Sequence, residues 1–196
     1  MKLQERIPEG VSVGGKFYRM DFDFRNVLRL LDEMARDDLL PEAKRYRALH
    51  CLMKHPPRDA EPVMDAVKGI LFPGTKENAK KDKITDFVQD ADLIRAAFLQ
   101  SYGINLWRDR LSWFEFSSLL ACMPEGSRYA EILGIRTRPM PPATKWNAEE
   151  RRGLAEAKAR YAVQLTDKER AQQVADGLRS VAISLLTLAE GGGAHE

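Results

Sequence analysis

The sequence predicts a mainly α-helical protein: an N-terminal β-hairpin, then a multi-helix bundle, then a C-terminal helical arm. Its 196 residues are 44% hydrophobic, 31% charged and 8% aromatic, the composition of an ordinary globular protein with a helical bias. Apolar residues recur at steps of three and four along most of the chain, which is the period of an α-helix. Only near the start do two short apolar runs flank a pair of glycines. The chain is long enough to bury a core without disulfides or metals.

Charge and cysteine usage exclude several classes of protein. The formal net charge of +2 is too small to supply the counterion release that drives nucleic-acid binding. Cys51 and Cys122 lie in apolar helical contexts, which predicts buried thiols in a reducing cytoplasm. No apolar run approaches the roughly 20 residues of a membrane-spanning helix, and the first residues lack the apolar centre of a secretion signal. We therefore expect a protein that stays in the cytoplasm and binds neither nucleic acid nor membrane.

A hairpin and three helices are predicted in the first third of the chain. Gly14-Gly15 can supply the positive φ angles of a tight turn between two short strands. Pro41 fits the first turn of the second helix, which Pro56-Pro57 ends. Asp59 can cap the third helix, which Pro73-Gly74 ends. The apolar positions expected to face the core of the three helices are Phe24, Val27, Leu31, Met34, Tyr46, Leu49, Met53, Val63, Val67 and Ile70.

The polar, net basic run Lys76–Lys83 follows these helices and has no apolar periodicity. We interpret it as a mobile, solvated linker in preference to a phosphate-binding patch. A fourth helix is predicted from Phe87 to Tyr102, with Gly103 in the left-handed conformation at its end. Ser112 with Glu115 forms a capping box for a fifth helix, and Ser127 can cap a sixth.

The proline-rich stretch Arg138–Pro142 predicts a boundary between a core domain, residues 1–142, and a helical extension, residues 143–196. Two capping-box patterns, beginning at Asn147 and Thr166, predict helices of about Ala148–Gln164 and Asp167–Ala189. The second predicted helix carries apolar residues at heptad spacing. This stripe consists of Val174, Leu178, Val181, Leu185 and Leu188. Two heptads favour packing against the protein's own core, and a partner helix is the alternative.

The sequence offers no convincing metal, nucleotide or nucleophile site. His50, Cys51 and His55 are too few for a tetrahedral metal site, and no second pair of ligands lies nearby. Gly14-Gly15 lacks the lysine and the serine or threonine of a phosphate-binding loop. Cys122 has no suitable histidine partner. Asp86, Asp90 and Asp92 are explained as acidic residues at a helix start. We predict no enzyme, no cofactor and no metal.

Two blocks of sequence resemble a family of bacteriophage proteins. The first is Ile84–Ile94 with the downstream Phe98 and Tyr102–Leu106; the second contains Trp113 and ends in Glu131–Arg136. The resemblance is strong from residue 84 to 136, weak from residue 8, and absent from the last quarter. The residues that match the family, as core or as partner contacts, are Phe87, Asp90, Ala91, Ile94, Phe98, Tyr102, Gly103, Trp113, Phe116, Pro124, Ile132, Ile135 and Arg136.

The family resembled is that of siphophage tail-assembly chaperones encoded beside the tape-measure gene. The resemblance implies a non-catalytic protein that binds the long, helical tape-measure protein in the bacterial cytoplasm and is absent from the mature virion. Other tail-assembly chaperones, tail-tube subunits or a second copy of the chain are further expected partners. A structural tail or head-tail connector component is the main alternative, because it would also be helical and non-catalytic. A helix-turn-helix regulator is disfavoured, since no predicted helix concentrates basic residues on one face.

Overall fold

The computed structural model describes residues 4–73 and 84–164. Within these ranges the chain forms one two-stranded antiparallel hairpin and seven α-helices, which confirms the predicted fold class. The elements are β1 Gly10–Val13, β2 Lys16–Arg19, α1 Phe24–Ala35, α2 Pro41–Leu52, α3 Glu61–Leu71, α4 Ala91–Tyr102, α5 Trp113–Ala121, α6 Arg128–Thr137 and α7 Ala148–Tyr161.

The hairpin turns at the predicted glycines. Gly14 and Gly15 have φ angles of 57° and 77°, the pair of positive values that a two-residue turn of this kind needs. At the other end of β1, a Cβ on Gly10 would lie 2.0 Å from the Tyr18 carbonyl oxygen, so a side chain there would displace β2. The strand β1 packs on α3 and buries Val11.

Backbone hydrogen bonds join the two described ranges, residues 4–73 and 84–164, at the start of α1 and of α5. The Phe24 amide donates to the Leu111 carbonyl over 3.0 Å, and the Trp113 amide donates to the Phe22 carbonyl over 2.7 Å. This antiparallel bridge sets the first turns of α1 and α5 side by side. One hydrophobic core therefore runs from the hairpin and α3 through α1 to α4, α5 and α6.

Several helix boundaries confirm the local predictions. Ser112 and Glu115 form the expected capping box at α5. Asp23, which was not among the predicted caps, caps α1 by accepting from the Arg25 amide. Ser127 accepts from the Ala130 amide at the start of α6. The caps at α5 and α6 could be predicted because their partners lie within three residues.

Other local predictions were wrong. The third helix is capped by Ala60, without a side-chain hydrogen bond, instead of by Asp59. Asn147 has no capping bond either, because its side chain accepts from the Thr144 amide and donates to the Pro142 carbonyl. Tyr46 is exposed, and the buried face of α2 is formed by Ala48, Leu49 and Leu52. Of the two cysteines, Cys51 is half-buried and Cys122 is exposed.

The fourth helix begins four residues later than predicted. The Asp86 carboxylate accepts hydrogen bonds from the Val88 and Gln89 amides, both at 2.8 Å. These bonds fold residues 87–90 into a separate turn, and α4 starts after it at Ala91. Phe87 therefore projects from a turn and not from the helix on which its spacing had placed it.

The extension after the proline-rich stretch begins with α7, which buries none of its side chains and packs along α6. The division into residues 1–142 and 143–196 stays a prediction. The Lys76–Lys83 run, the predicted helix Asp167–Ala189 and its apolar stripe lie outside the described residues. In the ranges that are described, no helix is long and apolar enough to cross a membrane.

Candidate partner-binding site

Four of the thirteen family-matching residues, all aromatic, form a cluster around the ring of Phe116. Phe116 stacks on Phe24 with ring centroids 4.7 Å apart and on Phe98 at 5.2 Å. Trp113 lies 5.9 Å from Phe116, and Phe87 lies 6.2 Å from it. Phe98 and Trp113, both buried, are thus brought into one cluster through Phe116.

Polar atoms of the aromatic residues are hydrogen-bonded to backbone carbonyls. The Trp113 indole donates to the Leu71 carbonyl over 3.3 Å, which ties α5 to the end of α3. The Tyr102 hydroxyl donates to the Leu119 and Cys122 carbonyls over 2.8 and 3.0 Å, which ties the end of α4 to the end of α5. Gly103 ends α4 with a φ of 68°, as predicted. The side chains of Trp113 and Tyr102 therefore hold neighbouring helices together.

The remaining family-matching residues are distributed between the core and the surface. Ile94 and Ile132 are buried, Ala91 and Ile135 are half-buried, and Pro124 is exposed between α5 and α6. Their positions are consistent with packing for the isoleucines and with a turn for the proline.

Asp90 and Arg136 form a buried ion pair. The two guanidinium nitrogens Nη1 and Nη2 lie 2.7 and 2.8 Å from the two carboxylate oxygens of Asp90. The side chain of Asp90 is 1% exposed and that of Arg136 is 7% exposed. The hydrogen bond to Asp90 raises the pKa of Arg136 above its usual range, although burial opposes this. A charged pair in this two-pronged geometry fixes both position and orientation.

The same guanidinium holds two other segments. Its Nη1 donates to the Ile84 carbonyl over 2.9 Å, and its Nε donates to the Tyr161 carbonyl, at the end of α7, over 2.6 Å. Asp90 in turn accepts from the Asp86 amide over 3.0 Å. Arg136 therefore joins α6, the segment before α4 and the end of α7. Removing its side chain would take away one hydrogen-bonding centre that these three segments share.

A cleft opens beside the ring cluster, between α1, the turn at Phe87 and α4. Its volume is about 230 Å³. We call it the aromatic cleft and define it by its lining residues: Phe24, Arg25, Leu28, Phe87, Ala91, Ile94, Arg95, Leu106, Trp107 and Phe116. Four family-matching residues, at positions 87, 91, 94 and 116, therefore form part of its wall.

The mouth of the aromatic cleft carries an exposed tryptophan. Trp107 is 71% exposed, and the Arg95 guanidinium lies 5.0 Å from its ring centroid in a cation–π contact. The loop that holds this tryptophan is fixed by side-chain caps: the Asn105 side chain accepts from the Trp107 amide, and Asp109 accepts from the Asn105 amide. An aromatic ring held in this way is available to a partner without first having to be ordered.

The two arginines of the cleft are already paired. Arg25 lies 3.1 Å from Asp23 and donates to the Leu106 and Asp109 carbonyls over 2.7 and 2.8 Å. Arg95 lies 2.8 Å from Asp92. The cleft thus presents an apolar floor and a rim whose charges are locally balanced.

Comparison with known proteins identifies the family. Residues 3–163 match the family described as Bacteriophage Gp15 protein. The chain belongs to this family. No curated protein and no solved structure matches it significantly. Membership of a Gp15 family indicates a role in phage structure or morphogenesis, and the match reaches through α7, well beyond the resemblance at residues 84–136.

Sequence reasoning missed the part of the cleft that lies outside the family-matching residues. Arg25 and Leu28 could not be assigned to it, because they meet α4 only in the folded chain. Trp107 left a usable signal: a tryptophan between Asn105 and Asp109 stands in a turn sequence and outside any apolar periodicity. Among the residues that the structure describes, no group of three or more His, Cys, Asp or Glu side chains could hold a metal ion.

Proposed function

We propose that this Gp15-family protein is a tail-assembly chaperone, which binds the tape-measure protein during siphophage tail morphogenesis without catalysing a reaction. The aromatic cleft is the proposed binding site. The observation that carries the proposal is the open apolar cleft, walled by family-matching residues, with an exposed tryptophan fixed at its mouth. Family membership supports the phage context.

The size of the aromatic cleft favours a helix side chain as its occupant. Pockets for drug-sized molecules typically measure about 300–1,000 Å³, and this cleft, at about 230 Å³, is smaller. An amphipathic helix needs only grooves for a few side chains at positions i, i+3 or i+4 and i+7. A long helical protein such as the tape-measure protein offers many such faces.

A small cleft also suits the reversible binding that a chaperone needs. Interfaces that bury less than about 1,200 Å² are typical of transient encounters. We expect the complex formed at this cleft to belong to that class, because tail-tube subunits would have to displace the chaperone. Tryptophan is enriched among the residues that dominate binding energy. We therefore expect Trp107 to contribute more than its neighbours.

Co-expression with the neighbouring tape-measure gene tests the proposal. The variant Trp107→Ala removes the ring at the cleft mouth, and Trp146→Ala is the matched control, since Trp146 is 95% exposed and lies before α7, outside the cleft lining. A hot-spot loss of about 2 kcal/mol corresponds to roughly 30-fold weaker binding. Trp107→Ala should therefore recover far less tape-measure protein in a pull-down, while Trp146→Ala recovers as much as the parent chain.

Two results would contradict the proposed function. One is equal recovery of the tape-measure protein with both tryptophan variants, or no recovery with the parent chain. The other is the presence of the chain in purified virions at the copy number of a ring, measured by mass spectrometry, which would indicate the structural alternative.

A further inference from the structure

We infer that, in the free protein, the aromatic cleft is occupied by the C-terminal segment of the same chain, residues 167–189. The inference rests on the proposed function, because it gives the proposed binding site an internal competitor. The apolar stripe Val174, Leu178, Val181, Leu185 and Leu188, predicted from the sequence, would supply the side chains that enter the cleft.

The described part of the chain ends beside the turn at residues 87–90, which contributes Phe87 to the cleft wall. The Gln164 amide donates to the Gln89 side-chain oxygen over 2.8 Å, and the Gln89 side-chain nitrogen donates to the Ala162 carbonyl over 3.0 Å. Gln89 is two residues from Phe87, which lines the cleft, so their Cα atoms are at most about 7 Å apart. The segment that follows Gln164 therefore starts beside the turn that carries Phe87, one of the residues of the cleft wall.

The chain length beyond this point is sufficient to reach the cleft. Ten residues lead from Gln164 to Val174. The three residues to the predicted helix start at Asp167 span at most about 10 Å, and the seven that follow within the predicted helix rise about 10 Å. A tether of this kind gives the stripe an effective concentration in the millimolar range. A second copy of the chain, present at the micromolar concentrations of ordinary protein samples, would have to compete with this millimolar effective concentration.

The chemistry of the segment matches that of the cleft. Ser180–Ala189 contains no charged residue and is mainly aliphatic. The arginines of the cleft rim are already paired with Asp23 and Asp92, so they do not require an acidic occupant. An uncharged aliphatic face is thus better suited to this cleft than a charged one.

Internal occupancy would lower the affinity for an external helix, because the apparent association constant is multiplied by the fraction of time that the cleft is free. If the segment fills the cleft about nine-tenths of the time, the apparent dissociation constant of a tape-measure helix rises about tenfold. The chaperone would then present its apolar cleft only to a partner that can displace the segment.

Acrylamide quenching of tryptophan fluorescence tests the inference in the full chain. In a Trp146→Phe background the quenchable emission reports Trp107, since Trp113 is buried. The double variant Leu178→Asp/Leu185→Asp disrupts the stripe. The variant Ser180→Asp/Ser184→Asp adds the same charges to the same segment but off the stripe. We expect the quenching of Trp107 to rise at least threefold with the first variant and to stay at the parent value with the second.

A parallel series in a Trp107→Phe background reports Trp146, whose quenching should not change with either double variant. Equal quenching of Trp107 in all chains would overturn the inference. The inference would also be overturned if light scattering gave the mass of a dimer and the protection of Trp107 from acrylamide disappeared on dilution, because the occupant of the cleft would then be a second copy of the chain. Protection of Trp107 in a monomer supports it.

The outcomes also separate this inference from the proposed function. Protected Trp107 in the parent chain, together with no binding of a purified tape-measure fragment even by the Leu178→Asp/Leu185→Asp variant, would leave the internal contact standing and refute the chaperone role. Unprotected Trp107 in a chain that binds the fragment, with or without the stripe substitutions, would refute the internal contact alone.

Discussion

Replacing Arg136 by methionine should destabilise the protein strongly. The substitution keeps most of the side-chain volume and removes the guanidinium, leaving the Asp90 carboxylate, 1% exposed, without its counter-charge. Breaking a buried pair from one side typically costs about 3–5 kcal/mol. The carbonyls of Ile84 and Tyr161 lose a donor as well. The bond to Ile84 is exposed, so water can replace it, whereas the bond to Tyr161 is partly buried.

Urea denaturation followed by circular dichroism measures this loss. Arg138→Met is the matched control, since Arg138 is exposed and lies 3.6 Å from the exposed Glu150, a kind of pair worth about 0–1 kcal/mol. A second test of the same loss uses the double variant Asp90→Asn/Arg136→Met. Because asparagine removes the stranded charge, the double variant should be more stable than Arg136→Met alone.

The reasoning would be refuted by a loss below about 1 kcal/mol for Arg136→Met, equal to that of Arg138→Met. It would also be refuted if Asp90→Asn added its own full penalty to that of Arg136→Met. Additive penalties would mean that the two side chains act independently in spite of their 2.7 Å contact.

Three further predictions concern the core, the helix ends and the thiol. Phe116→Ala should cost about 3–5 kcal/mol of unfolding free energy in urea melts, against near zero for the exposed Phe17→Ala, because Phe116 stacks on two rings. Ser112→Ala, which removes a capping box, and Gly103→Ala, which places a side chain at positive φ, should each lower the free energy of unfolding by about 1 kcal/mol. No loss in either variant would contradict the capping geometry. Burial raises the pKa of the Cys51 thiol, so the thiol should be alkylated more slowly in the folded than in the urea-unfolded chain, as followed by mass spectrometry. Because the folded state keeps the proton more tightly, the contribution of this thiol to the free energy of unfolding is present at low pH and is lost as the pH rises through the folded-state pKa.

The sequence predicted those elements whose cause is local. The hairpin needs only Gly14-Gly15 and two short strands, and the α5 cap needs only Ser112 with Glu115 three residues later. Asp59 and Asn147 are also good capping residues, but the side chain of Asn147 braces the preceding loop and α3 starts from Ala60. Residue type alone does not decide between such competing hydrogen bonds.

The candidate site was predicted only in part, because its geometry depends on contacts far apart in sequence. Asp90 and Arg136 were both singled out by the family resemblance, but nothing in their spacing of 46 residues predicts that they touch. The helical period placed Phe87 on α4, whereas Asp86 folds it into a turn. That turn gives Phe87 its position in the cleft wall.

The buried pair and the aromatic cleft are connected through this turn. Arg136 holds Ile84 on one side of it and Asp90 on the other, so the segment that carries Phe87 is clamped at both ends. The same arginine holds the end of α7, and Gln89 within the turn binds Ala162. Loosening the pair would therefore move a cleft wall and the point from which the C-terminal segment departs at the same time.

We infer that the family-matching residues act mainly as the frame of the cleft. The contacts with a partner would then be made by residues at its mouth, above all Trp107. Arg136→Lys should distinguish frame from contact: lysine keeps the charge but cannot make the four hydrogen bonds, so it should weaken the fold and partner binding together, whereas Trp107→Ala should weaken binding alone.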